Sequence, residues 1–169
     1  TGAYVGAFVG GAGNVPRRLR QYRALVDSDR SLGLAQKLVA AKIEMQLRHV
    51  LRATRKGTDH RARCEDGIAG MRAALRGSFH SPDRATLMGN EGSAARAYFA
   101  AIASLVHPDA GETMVPQGRS RRPPRDRFNA LLSFGYGLLY RDVISAILRV
   151  GLDPAVGILH QPRATAFPL

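Results

Sequence analysis

Apolar residues recur at steps of three and four along most of this chain, and that spacing limits its possible folds more than any other feature. The pattern begins at Asn14, after which Val15, Leu19 and Tyr22 fall on one face of a helix. Pro16 suits the first turn of that helix, because its missing N–H would have no partner there. The same spacing predicts further helices over residues 31–55, 61–75 and 126–150, and one that opens at residues 81–83 and runs to 106. The fold is therefore expected to be mainly α.

Within the second predicted helix, one row of apolar side chains is expected to face the core. The row consists of Leu34, Leu38, Ala41, Met45 and Val50, with Leu47 and Leu51 beside it. In the third helix, glycines at 67 and 70 are expected to weaken the structure, because glycine has a low helix propensity.

The first 13 residues differ from the rest, since they alternate small and apolar residues and are rich in glycine. This pattern predicts the last strand of a β region followed by a hinge, so we divide the chain into residues 1–13 and a helical domain over 14–169. The chain starts at Thr1 without a methionine and stops in an apolar stretch, 167–169. We therefore expect it to be part of a longer protein.

The apolar stretches and the cysteine number indicate the cellular compartment in which the protein is expected. The most apolar stretch, near residues 130–140, is shorter than the roughly 20 residues of a membrane-spanning helix. A single cysteine, Cys64, forms no internal disulfide, and no signal peptide opens the chain. We expect a cytoplasmic protein that is not bound to a membrane.

The charge indicates the kind of partner. The chain carries 25 Lys and Arg against 13 Asp and Glu, a formal charge of +12. Most of these cations are arginines, whose planar guanidinium matches phosphate oxygens, so nucleic acid is the favoured partner. Much of the excess lies between residues 17 and 63, where Arg48, Arg52 and Arg55 share a helix face. The same excess would also arise from a GC-rich genome that encodes arginine wherever a cation is tolerated, or from a solvated helix face.

Two residues are candidates for chemistry. Glu91 shares helical spacing with Leu87, Ala94 and Tyr98, which places a carboxylate on an apolar stripe, where it needs a cation as partner. That cation is either an arginine or a metal ion. His160 ends a short apolar piece and is either a ligand or an ordinary surface or core histidine. The chain contains no nucleotide-binding glycine loop, no metal-binding HExxH or CxxC spacing and no hydrolase elbow.

On the last predicted helix, Asn129, Ser133, Tyr136 and Tyr140 follow one another at gaps of four, three and four, which keeps them on one face. The tyrosines either pack in the core or line a functional site. The basic loop before this helix carries further arginines that are candidates for phosphate contacts: Arg121, Arg122, Arg125 and Arg127.

Three strings in fixed order resemble a known family. They are GNEGSAARAYF at 89–99, RRPPRDRFNALLSFGYGLLYRDV at 121–143 and GLDPAVGILHQPR at 151–163. Together with the segments 13–27 and 34–52, they are similar to the CRISPR-associated endonuclease and integrase family Cas1, over nearly the whole chain from Gly13 onward.

The resemblance implies the helical catalytic domain of the CRISPR adaptation integrase, preceded by a β domain of which residues 1–13 would be a remnant β-strand. It also implies a site for Mg²⁺ or Mn²⁺, in which the family's glutamate matches Glu91 and its histidine matches His160. The family's third ligand, an aspartate, would follow Leu169, so we expect this chain alone to be impaired as an enzyme. Mixed carboxylate and imidazole ligands suit such a cation.

By resemblance, the activity is spacer acquisition: a 3′-hydroxyl of a foreign DNA fragment attacks a phosphodiester of the CRISPR array, and water in its place gives nuclease activity. Tyr140 would lie near the scissile phosphate and Asn129 would orient a ligand or backbone. The implied partners are duplex or forked DNA, a second copy of the chain in a homodimer, and the protein Cas2. The alternative is a non-catalytic basic helical module that binds DNA or acts as a scaffold, with Glu91 paired to an arginine.

Overall fold

The computed structural model describes residues 14–55, 58–116, 118–121 and 123–160. The strand predicted in residues 1–13 lies outside these ranges, so the division of the chain at residue 13 stays a prediction. The chain forms two compact units, one from Thr1–Ser31 with Leu138–Leu169 and the other from Leu32–Gly137. We describe each unit separately.

The described residues form helices and no β-strand, as expected for a mainly α chain. Six α-helices are α1 (Val15–Val26), α2 (Ser28–Ala53), α3 (Thr58–Arg63), α4 (Glu65–Phe79), α5 (Arg84–Leu105) and α6 (Arg127–Arg149). Two single turns of 3₁₀-helix, Pro108–Ala110 and Glu112–Met114, follow α5.

The single helix predicted over 61–75 is wrong, because the chain breaks at Cys64. Its N–H donates to the Arg61 carbonyl at 3.1 Å, a tight turn that closes α3. A new helix then starts with Glu65 and Asp66, acidic residues that suit the positive end of a helix dipole.

In the second unit, α2 packs with a different face from the one predicted. Leu34, Leu38 and Met45 are 41%, 54% and 63% exposed, although the sequence placed them in the core. Leu47 and Val50 are buried as predicted, and the other buried residues of α2 are Ala35, Val39, Ala40 and Ile43. Both rows have helical spacing, so the spacing alone does not fix which row faces the core.

Helices α4 and α5 are antiparallel and approach each other closely through small residues. Gly67 lies opposite Ala97 and Ala101, whereas Gly77 lies opposite Asn90. A Cβ atom on Gly67 would lie 2.9 Å from the Ala97 carbonyl oxygen, closer than such atoms approach in real structures. The glycine that costs helix propensity therefore allows the two backbones to pack.

Helix α5 starts where the sequence predicts. The Asp83 carboxylate caps it by accepting the Thr86 N–H at 2.7 Å. This hydrogen bond lowers the pKa of Asp83.

In the first unit, α1 holds the turn that follows α6. The Gln21 amide and the Asp153 backbone exchange two hydrogen bonds, at 2.9 and 2.8 Å. The Tyr22 hydroxyl donates to the Asp153 carboxylate at 2.6 Å, and this hydrogen bond raises the pKa of Tyr22. Gly151 in the same turn has φ +77°, and a Cβ there would lie 2.7 Å from the Cβ of Asn14, so the turn requires glycine.

By length and composition alone, α6 could cross a membrane, with a mean hydropathy of 1.3 over its most apolar stretch. The helix is longer than the apolar stretch at 130–140, but Arg141 and Asp142 interrupt its apolar sequence. One such helix is a weak indication of a membrane protein.

We expect Gly67→Ala to lower the free energy of unfolding by about 1–3 kcal/mol, because the new methyl overpacks the contact with α5. The matched control is Gly33→Ala in α2, where no atom lies within 4 Å of the added Cβ. That variant should gain about 0.5–1 kcal/mol from helix propensity. Urea unfolding of both variants measures the difference, and equal effects would contradict the close packing of α4 and α5.

Because Asp83 caps α5, the free energy of unfolding is expected to depend on pH in the acidic range. Because the pKa of Asp83 is lowered in the folded chain, its contribution is present above the ordinary value of 3.8 and is lost as the pH falls through the lower folded value. Asp83→Asn keeps a good cap but cannot titrate. Urea midpoints measured from neutral to strongly acidic pH should therefore fall more steeply for the wild type than for the variant; parallel curves would rule out this role.

Candidate nucleic-acid and metal site

Glu91 lies at the edge of the core, on the side of α5 that faces α2. Its neighbours on the helix, Leu87 and Ala94, are fully buried, whereas 20% of the Glu91 side chain is exposed. The carboxylate accepts a hydrogen bond from Lys42 Nζ on α2. The predicted position on an apolar stripe is thus confirmed, and the cation beside the carboxylate in this structure is a lysine rather than an arginine.

A second polar contact joins the same two helices. His49 Nδ1 and the Tyr98 hydroxyl lie 2.9 Å apart. Burial, and then the nearby Tyr136, raise the pKa of Tyr98. Residues 42 and 49 on α2 meet residues 91 and 98 on α5 in the same order, so the two helices run parallel. Lys42 was missed by the sequence reasoning, because no local pattern indicates that α2 and α5 are neighbours.

His160 belongs to the first unit and Glu91 to the second. The imidazole is exposed at the end of the chain segment that follows α6. Within the described ranges, no group of three or more His, Cys, Asp or Glu side chains is placed to hold a metal ion. The pairing of these two residues at one ion therefore stays a prediction.

Asn129 forms several hydrogen bonds with the basic loop, the segment between Met114 and Arg127 that precedes α6. Its side chain is fully buried at the start of α6 and uses both ends of its amide. The oxygen accepts from Arg119 at 2.9 Å and from the Ser120 N–H at 3.1 Å. The amide nitrogen donates to the Gly118 carbonyl at 2.9 Å and to the Asp126 carboxylate at 2.7 Å. Asn129 thus ties residues 118–120 and Asp126 to the helix, while a catalytic role for it stays a prediction.

Arg119 is the functional candidate that the sequence reasoning missed. Its guanidinium is held by neutral oxygens, from Asn129, from Ser133 at 3.3 Å and from the Ser120 carbonyl. It also lies over the Tyr136 ring, 5.8 Å from the centroid, within the range of a cation–π contact. The only signal in the sequence was its place at the head of the basic run that continues with Arg121.

No carboxylate of the described chain forms an ion pair with Arg119. Burial lowers the pKa of this arginine, as does the like charge of Arg121, whereas Tyr136 and the Asp126 carboxylate act in the opposite direction. A fixed, half-buried cation without a carboxylate partner is an attractive position for an anion from outside the chain.

The other arginines predicted to contact phosphate are mostly exposed, and none of those that the structure describes lies in a defined pocket of polar partners like that of Arg119. Arg121, Arg125 and Arg127 are exposed, and Arg122 lies outside the described residues. On α2, Arg48 forms an ion pair with Glu44 at 2.6 Å, which reduces its attraction for phosphate. Arg52 and Arg55 are exposed farther along the chain. DNA contacts by these seven arginines stay predictions.

The polar face of α6 is partly confirmed. Asn129, Ser133 and Tyr136 all contact Arg119, so these three do share a face. Tyr140 lies farther along α6, in the first unit, and is 38% exposed. Its place near a scissile phosphate stays a prediction.

Comparison with known proteins gives a consistent result. The family model described as CRISPR associated protein Cas1 matches residues 1–169. A CRISPR-associated exonuclease Cas4/endonuclease Cas1 fusion from Myxococcus xanthus is 49% identical over 99% of this chain and 30% of its own length. The CRISPR-associated endonuclease Cas1 1 of Moorella thermoacetica is 40% identical over 90% of this chain and 45% of its own length.

Among solved structures, the chain is similar to part of a Cas6-RT-Cas1–Cas2 complex, with a TM-score of 0.81 and 28% identity. That match covers 96% of this chain and 17% of the other. The chain also spans less than half of the length of the Myxococcus and Moorella relatives. Because the family model matches from the first residue to the last, the chain belongs to the Cas1 family.

Proposed function

We propose that this chain is the helical catalytic part of a metal-dependent DNA endonuclease and integrase that inserts foreign DNA into a CRISPR array. The family match over the whole chain carries this proposal. The names of the relatives support it, since they are called endonucleases. The basic composition supports a DNA substrate.

Glu91 and His160 would hold Mg²⁺ or Mn²⁺. The carboxylate fits this role because it is only partly buried and pairs with the exposed Lys42, which an ion could replace. The His160 ring is exposed and available. A bound cation would polarise the phosphodiester and stabilise the charge that develops on its oxygens.

The residues of the basic loop would position the DNA. Arg119 is already fixed by Asn129 and Ser133, so it would contact a phosphate without losing much side-chain freedom. Arg121 and Arg125 would add contacts that are mobile and screened by salt. Tyr140 would orient the reacting phosphate, and Asn129 would act through the loop rather than on the substrate.

A Cas1–Cas2 complex among the solved structures supports Cas2 as a partner, and we also propose that the chain acts as a homodimer. Exposed apolar side chains on α6 are available for such contacts: Leu131, Phe134, Leu138 and Leu139.

The second candidate function is a non-catalytic DNA-binding or scaffold module. The ion pair between Lys42 and Glu91 favours it, because this pair satisfies the carboxylate without any metal. Metal binding separates the two candidates. If Mn²⁺ leaves unchanged the melting temperature of a protein extended past Leu169 to include the third expected ligand, the scaffold is favoured, since a ligand of the folded state must raise that temperature.

The test of catalysis is Mn²⁺-dependent cleavage of duplex and forked DNA by the protein extended past Leu169, which includes the third expected ligand. We expect Glu91→Gln and His160→Ala to lower the rate by about 100-fold or more, because each removes an interaction with the ion that stabilises the transition state. The matched controls are Glu112→Gln and His107→Ala, which change exposed residues outside the proposed site. Equal rates in all five proteins would remove Glu91 and His160 from the mechanism.

A further inference from the structure

The two partners of the ion pair between α2 and α5 differ in their access to solvent. The side chain of Lys42 is 49% exposed, whereas that of Glu91 is 20% exposed. Lys42 Nζ donates to Oε1 of the Glu91 carboxylate. Because the lysine is the more exposed partner, it is the one that can leave the pair and enter water.

The packing of α2 does not depend on this pair. Val39 and Ile43, which flank Lys42 in the sequence, are 2% and 1% exposed and hold the helix to the core. A second contact with α5, between His49 Nδ1 and the Tyr98 hydroxyl, lies seven residues farther along α2. Lys42 can therefore leave Glu91 by rotation of its own flexible side chain, while the helix stays in place.

The arrangement of charges along α2 distinguishes Lys42 from its neighbours. Glu44, the nearest acidic residue on the helix, pairs with Arg48 at 2.6 Å. Lys37 is also exposed, but it forms no ion pair with any carboxylate in the described part of the chain. Lys42 is thus matched by a second lysine on the same helix that lacks a carboxylate partner.

An ammonium and a divalent cation compete for the same carboxylate. Both are attracted to its oxygens, and an oxygen that accepts a hydrogen bond from an ammonium is less available as a metal ligand. The two cations also repel each other at the separation that a shared carboxylate would impose. Each therefore lowers the occupancy of the other at Glu91.

We propose that Lys42 and the metal ion exchange at Glu91: the lysine holds the carboxylate in the metal-free protein and leaves it when the ion binds. Lys42 is then a positioning residue, since it acts through Glu91. The proposal rests on the proposed function in taking Mg²⁺ or Mn²⁺ as the competing cation. It adds that a residue that is not a ligand sets part of the apparent affinity for the ion.

The size of the effect follows from the fraction of molecules in which Glu91 is free of Lys42. The apparent dissociation constant of the ion is the intrinsic constant divided by that fraction. A partly exposed pair at the stronger end of surface ion pairs is closed in roughly four of five molecules. We therefore expect Lys42→Met to tighten Mn²⁺ binding about fivefold. Damage to the fold would weaken binding, so a gain of affinity identifies competition.

The test titrates Mn²⁺ into the protein extended past Leu169, at constant ionic strength, and follows the EPR signal of the free ion. Lys42→Arg keeps a cation beside the carboxylate and should bind Mn²⁺ with nearly the wild-type affinity. Lys37→Met is the matched control, because it removes one positive charge from the same helix. Its effect should be less than about twofold, since an exposed charge is screened by salt. Circular dichroism verifies that all variants remain folded.

Three results would overturn the exchange while leaving the proposed function in place. Unchanged affinity in Lys42→Met would show that the lysine does not compete, and weaker binding would show that it supports the site instead. Equal tightening in Lys42→Met and Lys37→Met would indicate a general effect of net charge. Absence of Mn²⁺ binding in the wild type and in every variant would instead contradict the metal site of the proposed function, and the exchange with it.

Discussion

The close packing of α4 against α5 is the constraint on which the second unit depends. Gly67 brings the α4 backbone so near to Ala97 that no larger side chain fits at that position. With one side of α5 occupied in this way, its other sides meet α2 and the basic loop. The Lys42–Glu91 pair and a cavity lined by Phe99 and Arg119 therefore lie on different sides of a single helix, whose backbone comes close to α4 at Gly67.

The basic loop is held by hydrogen bonds of a side chain rather than by close helix packing. Its described residues form no regular helix between Met114 and Arg127, so their backbone groups need other partners. Asn129 supplies several of them at once, because a side-chain amide can accept and donate at the same time. A consequence is that the hydrogen bonds that hold Arg119 come from neutral oxygens. The same buried amide thus orders the loop and preserves its cationic character.

Helical periodicity predicted much of the fold correctly. The start of α5 at Asp83 and the bounds of α6 agree with the sequence to within one or two residues, because a capping carboxylate and a basic proline loop are strong local signals. The buried face of α2 was predicted wrongly over residues 34–45 and correctly at Leu47 and Val50, since apolar residues occupy two adjacent rows and only packing chooses between them. The break at Cys64 was missed because the apolar spacing continues across it.

The sequence by itself determined the family, the cationic character and the identity of Glu91 and His160 as candidates, because these depend on residue types in a fixed order. Only the tertiary structure decided that Glu91 meets Lys42 rather than an arginine, and that Arg119 stands beside an apolar cavity. These contacts join residues far apart in the chain, between 42 and 91 and between 96 and 119. Local spacing carries no information about which helices become neighbours; burial of apolar surface and backbone fit decide it.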